Sequence, residues 1–386
     1  MNVAFVHDVF PSGGAERITV DIARYLNTHD NEFNIYVYCQ DINKVLLTDS
    51  ICDVVNVRHI RCKNNTEKAE QIEKYIISDN IDVIVQVVHR VKGIEAIKER
   101  TGVKVVMSNH GEAFWQRFRY IAKKKKRYPI LWNLGLRFFY ENCGYAMNKA
   151  IKTTKRNYDC SDAYTVLCEE YKNNICNRLN LRPDQSHIHV IGNPEHPVSN
   201  VCFDKEKIIM YCGRLYNSTK RVDRLLRIWK RVQNELNDWR LILVGDGPDR
   251  SVLEKQIVDD SLSRVEIVGW VADVNEYYKK SSILCITSQT ESWGLALTEA
   301  QANGVIPIAF DCSAGVRAIL SPSGENGFLI TPFKEQEYAR TLIRVAKMDI
   351  ANQMYIRNNV VKASQRYSLE AVGEQWVRLL NSLKGH

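Results

Sequence analysis

Two doubly wound α/β domains are the fold this sequence predicts, and three observations predict it. At 386 residues the chain is longer than one hydrophobic core usually supports. Short runs rich in Val and Ile alternate along it with amphipathic stretches of roughly ten to sixteen residues. Those runs are apolar on both faces, as parallel strands covered by helices above and below must be.

In order, the first half offers "NVAFVH", "NIYVYC", "DVIVQVV", "VKVVMS", "AYTVLC" and "HIHVIG" as strands. The second offers "KIIMYC", "RLILVG", "VEIVG", "ILCIT", "IPIAF" and "GFLI". Between them "GNPEHPVSN", Gly192 to Asn200, breaks the pattern with two prolines and a glycine. The expected domains are therefore residues 1–195 and 201–365. Beyond Lys347 no further strand follows. Residues 368–386 form a helix with Ser368 as cap, an apolar stripe at Val372, Trp376, Leu379 and Leu380, and Gly385 as stop.

Composition excludes several classes. Hydrophobic content of 45% and charged content of 25% are those of a globular protein, which removes disorder. The opening "MNVAFVHDVF" lacks the basic flank of a secretory signal, and no window reaches the ~18 apolar residues of a spanning helix. Eleven scattered cysteines with no C-x-x-C pair read as buried hydrophobes in a reducing compartment. A cytoplasmic protein is expected. His187 and His189 alternate as strand residues do, and no metal site is expected.

The net charge of +8 has one address. Arg117, Arg119, Lys123, Lys124, Lys125, Lys126, Arg127 and Arg137 lie between Phe114 and Arg137 with no acidic residue among them. Phe114, Trp115, Phe118, Tyr120, Tyr128 and Trp132 interleave with these cations. Aromatic and basic side chains together suit an anionic headgroup interface, so peripheral attachment to the inner face of the plasma membrane is expected. Nucleic acid is not expected, because no base-reading motif accompanies the patch.

In open parallel sheets, ligands bind beyond the carboxyl ends of the strands. The chemically distinctive residues of this chain follow its strands. Gly13 and Gly14 follow the first, and His110 follows "VKVVMS". Gly213 and Arg214 follow "KIIMYC", with Lys220 six positions beyond Arg214, and Gly245 closes "RLILVG". Trp270 follows "VEIVG", and "SQTESWGLALTEA" follows "ILCIT". A guanidinium and an ammonium in one loop suit a diphosphate without a metal. Amides at the start of the helix near Gly294 and Leu295 favour an anion, whereas the carboxylates Glu291 and Glu299 suit hydroxyl donors. A diphosphate between two diol-rich groups describes a nucleotide-sugar.

With these residues in place, "GGAER", "GRL…K", "LILVGDGP" and "ESWGLALTEA…G" resemble glycosyltransferase family 4, retaining enzymes of the GT-B fold. The resemblance implies two Rossmann-like domains facing a cleft, with the last helix crossing back to the first. It implies that Glu299 binds the ribose, Arg214 and Lys220 the diphosphate, and Glu291 the donor sugar's hydroxyls. Gly13, Gly14, Gly213, Gly245, Trp270, Gly294 and Leu295 complete the expected donor site, and His110 contacts the sugar near the reaction centre. His110, Arg214, Lys220 and Glu291 are the expected catalytic residues. Trp115, Trp132 and the cations from Arg117 to Arg127 are expected to meet the acceptor or the membrane.

The substrates so implied are a UDP-sugar and a glycan or lipid-linked saccharide acceptor, with no cofactor. Two departures stand out. Trp293 occupies a place where phenylalanine is usual, and "CSAGVRAIL" replaces the commoner Gly-Gly-x-x-Glu segment, putting Arg317 near the expected acid. Two other classes fit the same layout. A sugar-nucleotide epimerase would turn over without an acceptor, and a non-enzymatic membrane-binding module would bind no nucleotide.

Overall fold

The structure is a computed structural model that describes residues 1–11, 13–28, 33–196 and 198–384. Pro197 of the expected linker and Gly385, the expected helix stop, lie outside the described residues. The chain divides into two units, Met1–Pro194 with Val372–His386, and Glu195–Ala371.

In the first unit β1 (Asn2–Phe10), β2 (Asn34–Ile42), β3 (Asn56–His59), β4 (Val83–Val87), β5 (Lys104–Ser108), β6 (Ala163–Val166) and β7 (Ile188–Val190) form one sheet. Its order is β3-β2-β1-β4-β5-β6-β7, and every pairing is parallel. The strand β3 is absent from the hydrophobic pattern of the sequence for a physical reason. It is an edge strand whose four residues, NVRH, all keep some exposure, so no apolar run marks it. The central strands carry the core. Ile84 and Val105 are fully buried and pack with Ile72 and Ile94 from the covering helices.

In the second unit β8 (Ile208–Cys212), β9 (Arg240–Val244), β10 (Val265–Gly269), β11 (Ile283–Ile286), β12 (Ile306–Phe310) and β13 (Phe328–Ile330) form a parallel sheet of order β10-β9-β8-β11-β12-β13. Both sheets reverse direction of travel at their first strand. The switch points lie between β1 and β4, and between β8 and β11. At such points the loops leaving the two strands diverge and leave room for a ligand.

The last helix, Leu369–Ser382, is capped by the Ser368 hydroxyl, which accepts from the Ala371 amide at 3.1 Å. From Val372 onward its residues belong to the first unit. The stripe expected to be covered is covered: Val372, Trp376, Leu379 and Leu380 are all buried, each such burial contributing about 1.5–3 kcal/mol. Trp376 lies 6.1 Å from the Phe5 ring, and the Tyr25 hydroxyl donates to Glu374 at 2.7 Å.

Candidate functional site

At the second unit's switch point, the loops after β8 and β11 are tied together by backbone and side chains. The Gln289 amide donates to the Thr219 carbonyl at 2.7 Å, and the Thr287 hydroxyl donates to the Arg221 carbonyl at 2.9 Å. Arg224 reaches across to the Thr287 carbonyl and to Gln289. This lacing sets Lys220 against Glu291. Its ammonium donates to both carboxylate oxygens, at 2.7 and 2.9 Å, and Ser288 donates to Oε1 at 2.7 Å. The two residues expected to serve different substrate groups are thus each other's partner in the free protein. Arg214 is exposed, lies over the Tyr216 ring and has no salt bridge among the described residues.

Glu299 lies on the helix Leu295–Ala302, 8% exposed, and accepts from the Tyr278 hydroxyl at 2.8 Å. Burial drives the Tyr278 hydroxyl well above its ordinary pKa, with Cys212 and Glu299 adding to the effect, so it stays a proton donor. Cys212 ends β8, which brings Glu299 to the same strand end as Gly213. Burial and the nearby Glu291 likewise keep Tyr211 protonated, and its hydroxyl donates to the Arg214 carbonyl at 2.9 Å.

The strand ends themselves are lined by glycine. A Cβ on Gly245, whose φ is +133°, would overlap the Gly213 carbonyl oxygen, so only glycine fits there. Gly294 starts the Glu299 helix in the left-handed region, at φ +99°. Trp270 is different. It follows the edge strand β10 and is 71% exposed. Arg317, near the place where an acid was expected, pairs with Asp311 at 2.9 Å.

In the first unit, His110 follows β5 and is held from both sides. Its Nδ1 faces Asn193 Oδ1 at 3.0 Å and its Nε2 faces the Ser108 hydroxyl at 3.1 Å, which in turn accepts from Thr165. In this arrangement Nδ1 carries the proton. Desolvation pushes the imidazole down to about 4, so it is neutral at physiological pH. After β1 the Gly13 amide donates to Glu16 Oε2 at 2.8 Å, and Glu16 Oε1 lies 3.5 Å from His7 Nδ1. Burial works to raise the Glu16 carboxyl, but the bonds from His7, its own amide and Gly13 outweigh it and hold it below its ordinary value. The Gly13 amide expected to meet a phosphate therefore already has a carboxylate on it, while Gly14 opens the helix Gly14–Thr28.

The basic segment forms the helix Gln116–Arg127, then short helical segments, two of them π-helical, through Asn142. One expectation is corrected here. Trp132 is only 3% exposed, because it packs with Tyr140 and Ala146 in a small core of its own. Trp115 is half-buried, its indole against the His89 ring and the Gly111 backbone. The outward side chains are Ile130, Leu131, Leu134, Phe138 and Phe139, each more than half exposed. Lys123, Lys124, Lys125 and Lys126 have no salt bridge among the described residues.

Sequence reasoning missed Tyr211 and Tyr278, which hold the site's backbone and Glu299, and missed the pairing of Ser108 and Asn193 with His110. None sits in a motif. The signal for Tyr278 would have been a polar-tipped aromatic next to apolar β11, which is also what an ordinary core tyrosine looks like.

Residues 206–348 match the family described as Glycosyl transferases group 1. The amylovoran biosynthesis glycosyltransferase AmsD of Erwinia amylovora is 28% identical over 237 residues, 58% of this chain and 63% of its own length. The chain spans 54% of the length of another such relative. A Campylobacter jejuni alpha-1,4-N-acetyl-D-galactosaminyltransferase, named for a diNAcBac-PP-undecaprenol-linked substrate, is 21% identical over 398 residues, covering 100% of this chain and 99% of its own. Among solved structures, Anabaena HepE in complex with UDP and glucose superposes with a TM-score of 0.73 at 18% identity, over 99% of this chain and 100% of that one. At that identity the likeness shows the fold, which is GT-B. Residues 206–348, most of the second unit, thus resemble the group 1 glycosyl transferases within a chain of GT-B fold.

Proposed function

We propose that the chain is a retaining, metal-independent glycosyltransferase that moves a hexose-type sugar from a UDP-sugar to a glycan or lipid-linked acceptor. The observation that carries this reading is the gathering of Arg214, the Lys220–Glu291 pair and the buried Glu299 at one switch point. Leaving of the nucleotide makes the anomeric carbon positive and the diphosphate negative. Arg214, Lys220 and the amides at the start of the Glu299 helix are fixed cations and dipoles for that negative charge. Glu299, held by Tyr278, accepts from ribose hydroxyls, and Glu291 accepts from those of the sugar.

His110 contributes by what it is not. A neutral imidazole does not repel a carbon becoming positive, and its depressed pKa keeps it neutral. Attack on the same face, with the departing phosphate assisting removal of the acceptor's proton, completes the retaining course. HepE binds UDP and the Campylobacter relative is named for a lipid-linked substrate, which supports the choice of both partners.

Peripheral, cytoplasmic attachment to the plasma membrane is part of the same reading. No helix among the described residues is long and apolar enough to cross a membrane. The exposed Ile130, Leu134, Phe138 and Phe139 beside Lys123 to Arg127 support a surface contact instead. Each cation near an anionic surface contributes about 1 kcal/mol. Sedimentation with anionic vesicles at low salt checks it, and a chain left wholly in the supernatant removes the membrane from the account.

Calorimetric titration with UDP, GDP and their sugars tests the donor. UDP is expected to bind without added divalent metal, and transfer is expected to need an acceptor. Turnover without any acceptor would instead indicate an epimerase, and no nucleotide binding would end the reading.

A further inference from the structure

Between the basic helix and His110 lies a group of side chains that donor chemistry leaves unused. β4 ends in a three-residue turn. The His89 amide donates to the Val87 carbonyl at 2.6 Å around Val88, whose φ is +64°. A β-branched residue in the left-handed region is strained by about 1–3 kcal/mol. The loop after the neighbouring β5 repeats the feature at Phe114, φ +60°.

These two strained loops meet. The His89 ring lies 5.4 Å from the Trp115 ring. The indole packs on the Gly111 backbone so closely that a Cβ there would sit 2.5 Å from its Cδ1, which places it one residue from His110. His89 is exposed and Trp115 half-buried, so the pair forms an aromatic shelf open on one side. Three buried polar atoms in this part of the first unit have no hydrogen-bond partner: Trp115 Nε1, Gln116 Oε1 at the start of the basic helix, and Gln86 Nε2 within β4. Gln86 is 0% exposed and Gln116 7%. Each such atom costs about 1–3 kcal/mol unless something completes it.

Charge is set around the shelf. Lys68 donates to Asp8 at 2.9 Å and to Gln40 at 2.6 Å. Asp8 on β1 and His89 just past β4 lie at the same end of two paired parallel strands, and although burial works to raise the Asp8 carboxyl, Lys68, His89 and Arg119 hold it below its ordinary value. Arg119 has no salt bridge among the described residues, which leaves one positive charge over. Lys123 stands one helical turn beyond it on the same face.

We propose that His89, Trp115, Asp8, Lys68 and Arg119 form a subsite for a saccharide that carries a phosphate or pyrophosphate group. The aromatic pair takes the C–H face of the sugar ring and Asp8 accepts from its hydroxyls. Arg119, with Lys123 behind it, takes the anion. This names the acceptor class and rests on reading the chain as a glycosyltransferase.

The test uses the full chain, with UDP at saturation to fill the second unit, and titrates glucose 1-phosphate, glucose and inorganic phosphate. Glucose 1-phosphate is expected to bind at least about ten-fold tighter than either of the others. His89→Ala, at an exposed site, and Arg119→Ala should each weaken it about five-fold or more. Trp115→Phe, which keeps a ring on Gly111, should weaken it less. Affinity for UDP should not change in any of them. Sugar phosphate binding no tighter than phosphate, or unchanged in the His89 and Arg119 variants, overturns the subsite. Failure of UDP to bind counts against the donor reading alone, because the sugar phosphate titration is then read by itself.

Discussion

The two switch points share a sheet order and differ in almost everything else. In the second unit Gly213 and Gly245 follow β8 and β9, and the loops at the β8/β11 switch point carry full charges, Arg214 exposed and Lys220 locked to Glu291. In the first unit the loops after β4 and β5 carry His89 and His110, the strained Val88 and Phe114 and the unpartnered Trp115 Nε1. On the proposed reading, the same fold makes one end suited to a diphosphate and another suited to a sugar surface. Topology supplies the place, and the side chains on the loops choose the ligand.

The largest way to break this contrast is to remove the cations. Arg214→Ala with Lys220→Ala should lower the transfer rate by more than about a hundred-fold, since one lost stabilising donor already costs about 3 kcal/mol. Steady-state kinetics at saturating donor decides it, and near-normal turnover would contradict the charge assignment. Removing Lys220 also strands the buried Glu291, so the double variant's melting temperature must be measured beside its rate.

Next comes Gly245→Ala. The added methyl overlaps the Gly213 carbonyl and asks for a positive φ, so a loss of about 3 kcal/mol is expected in urea unfolding. The first unit has no such requirement at His110. Its contribution shows as pH dependence. The unfolded imidazole takes a proton near 6.5 and the folded one only near 4. In that window the folded chain binds fewer protons, so His110 makes stability fall as pH drops from about 6.5 to about 4. A His110→Gln variant should lose less stability over the same range, measured by denaturant unfolding at each pH.

Smaller still, Tyr278→Phe removes one hydrogen bond from a buried carboxylate. About 1–3 kcal/mol of stability and a several-fold loss in UDP affinity are expected. The smallest effect belongs to Trp270→Ala, which should change stability by less than about 0.5 kcal/mol, because its ring is largely in water.

What the sequence shows of this molecule is what local pattern encodes. Buried parallel strands are continuous apolar runs, and Gly213 and Gly245 stand where two of those runs stop. The spacing from Glu291 to Glu299 places one in the loop and one in the helix, as found. Other features depend on partners distant in the chain. Lys220 and Glu291 are 71 positions apart, and nothing local says they will pair. His110 and Asn193 are 83 apart. Trp132 reads like its exposed neighbours until the packing of Tyr140 and Ala146 turns it inward. An edge strand with polar residues, β3, leaves no hydrophobic trace at all.

The central claim is that a nucleotide diphosphate sits at the β8/β11 switch point, and titration of UDP into Glu299→Ala beside His110→Ala tests it most directly. The account predicts UDP affinity reduced by about ten-fold or more in Glu299→Ala and unchanged in His110→Ala. Equal affinity in both variants and the unsubstituted chain, or a loss confined to His110→Ala, would contradict it.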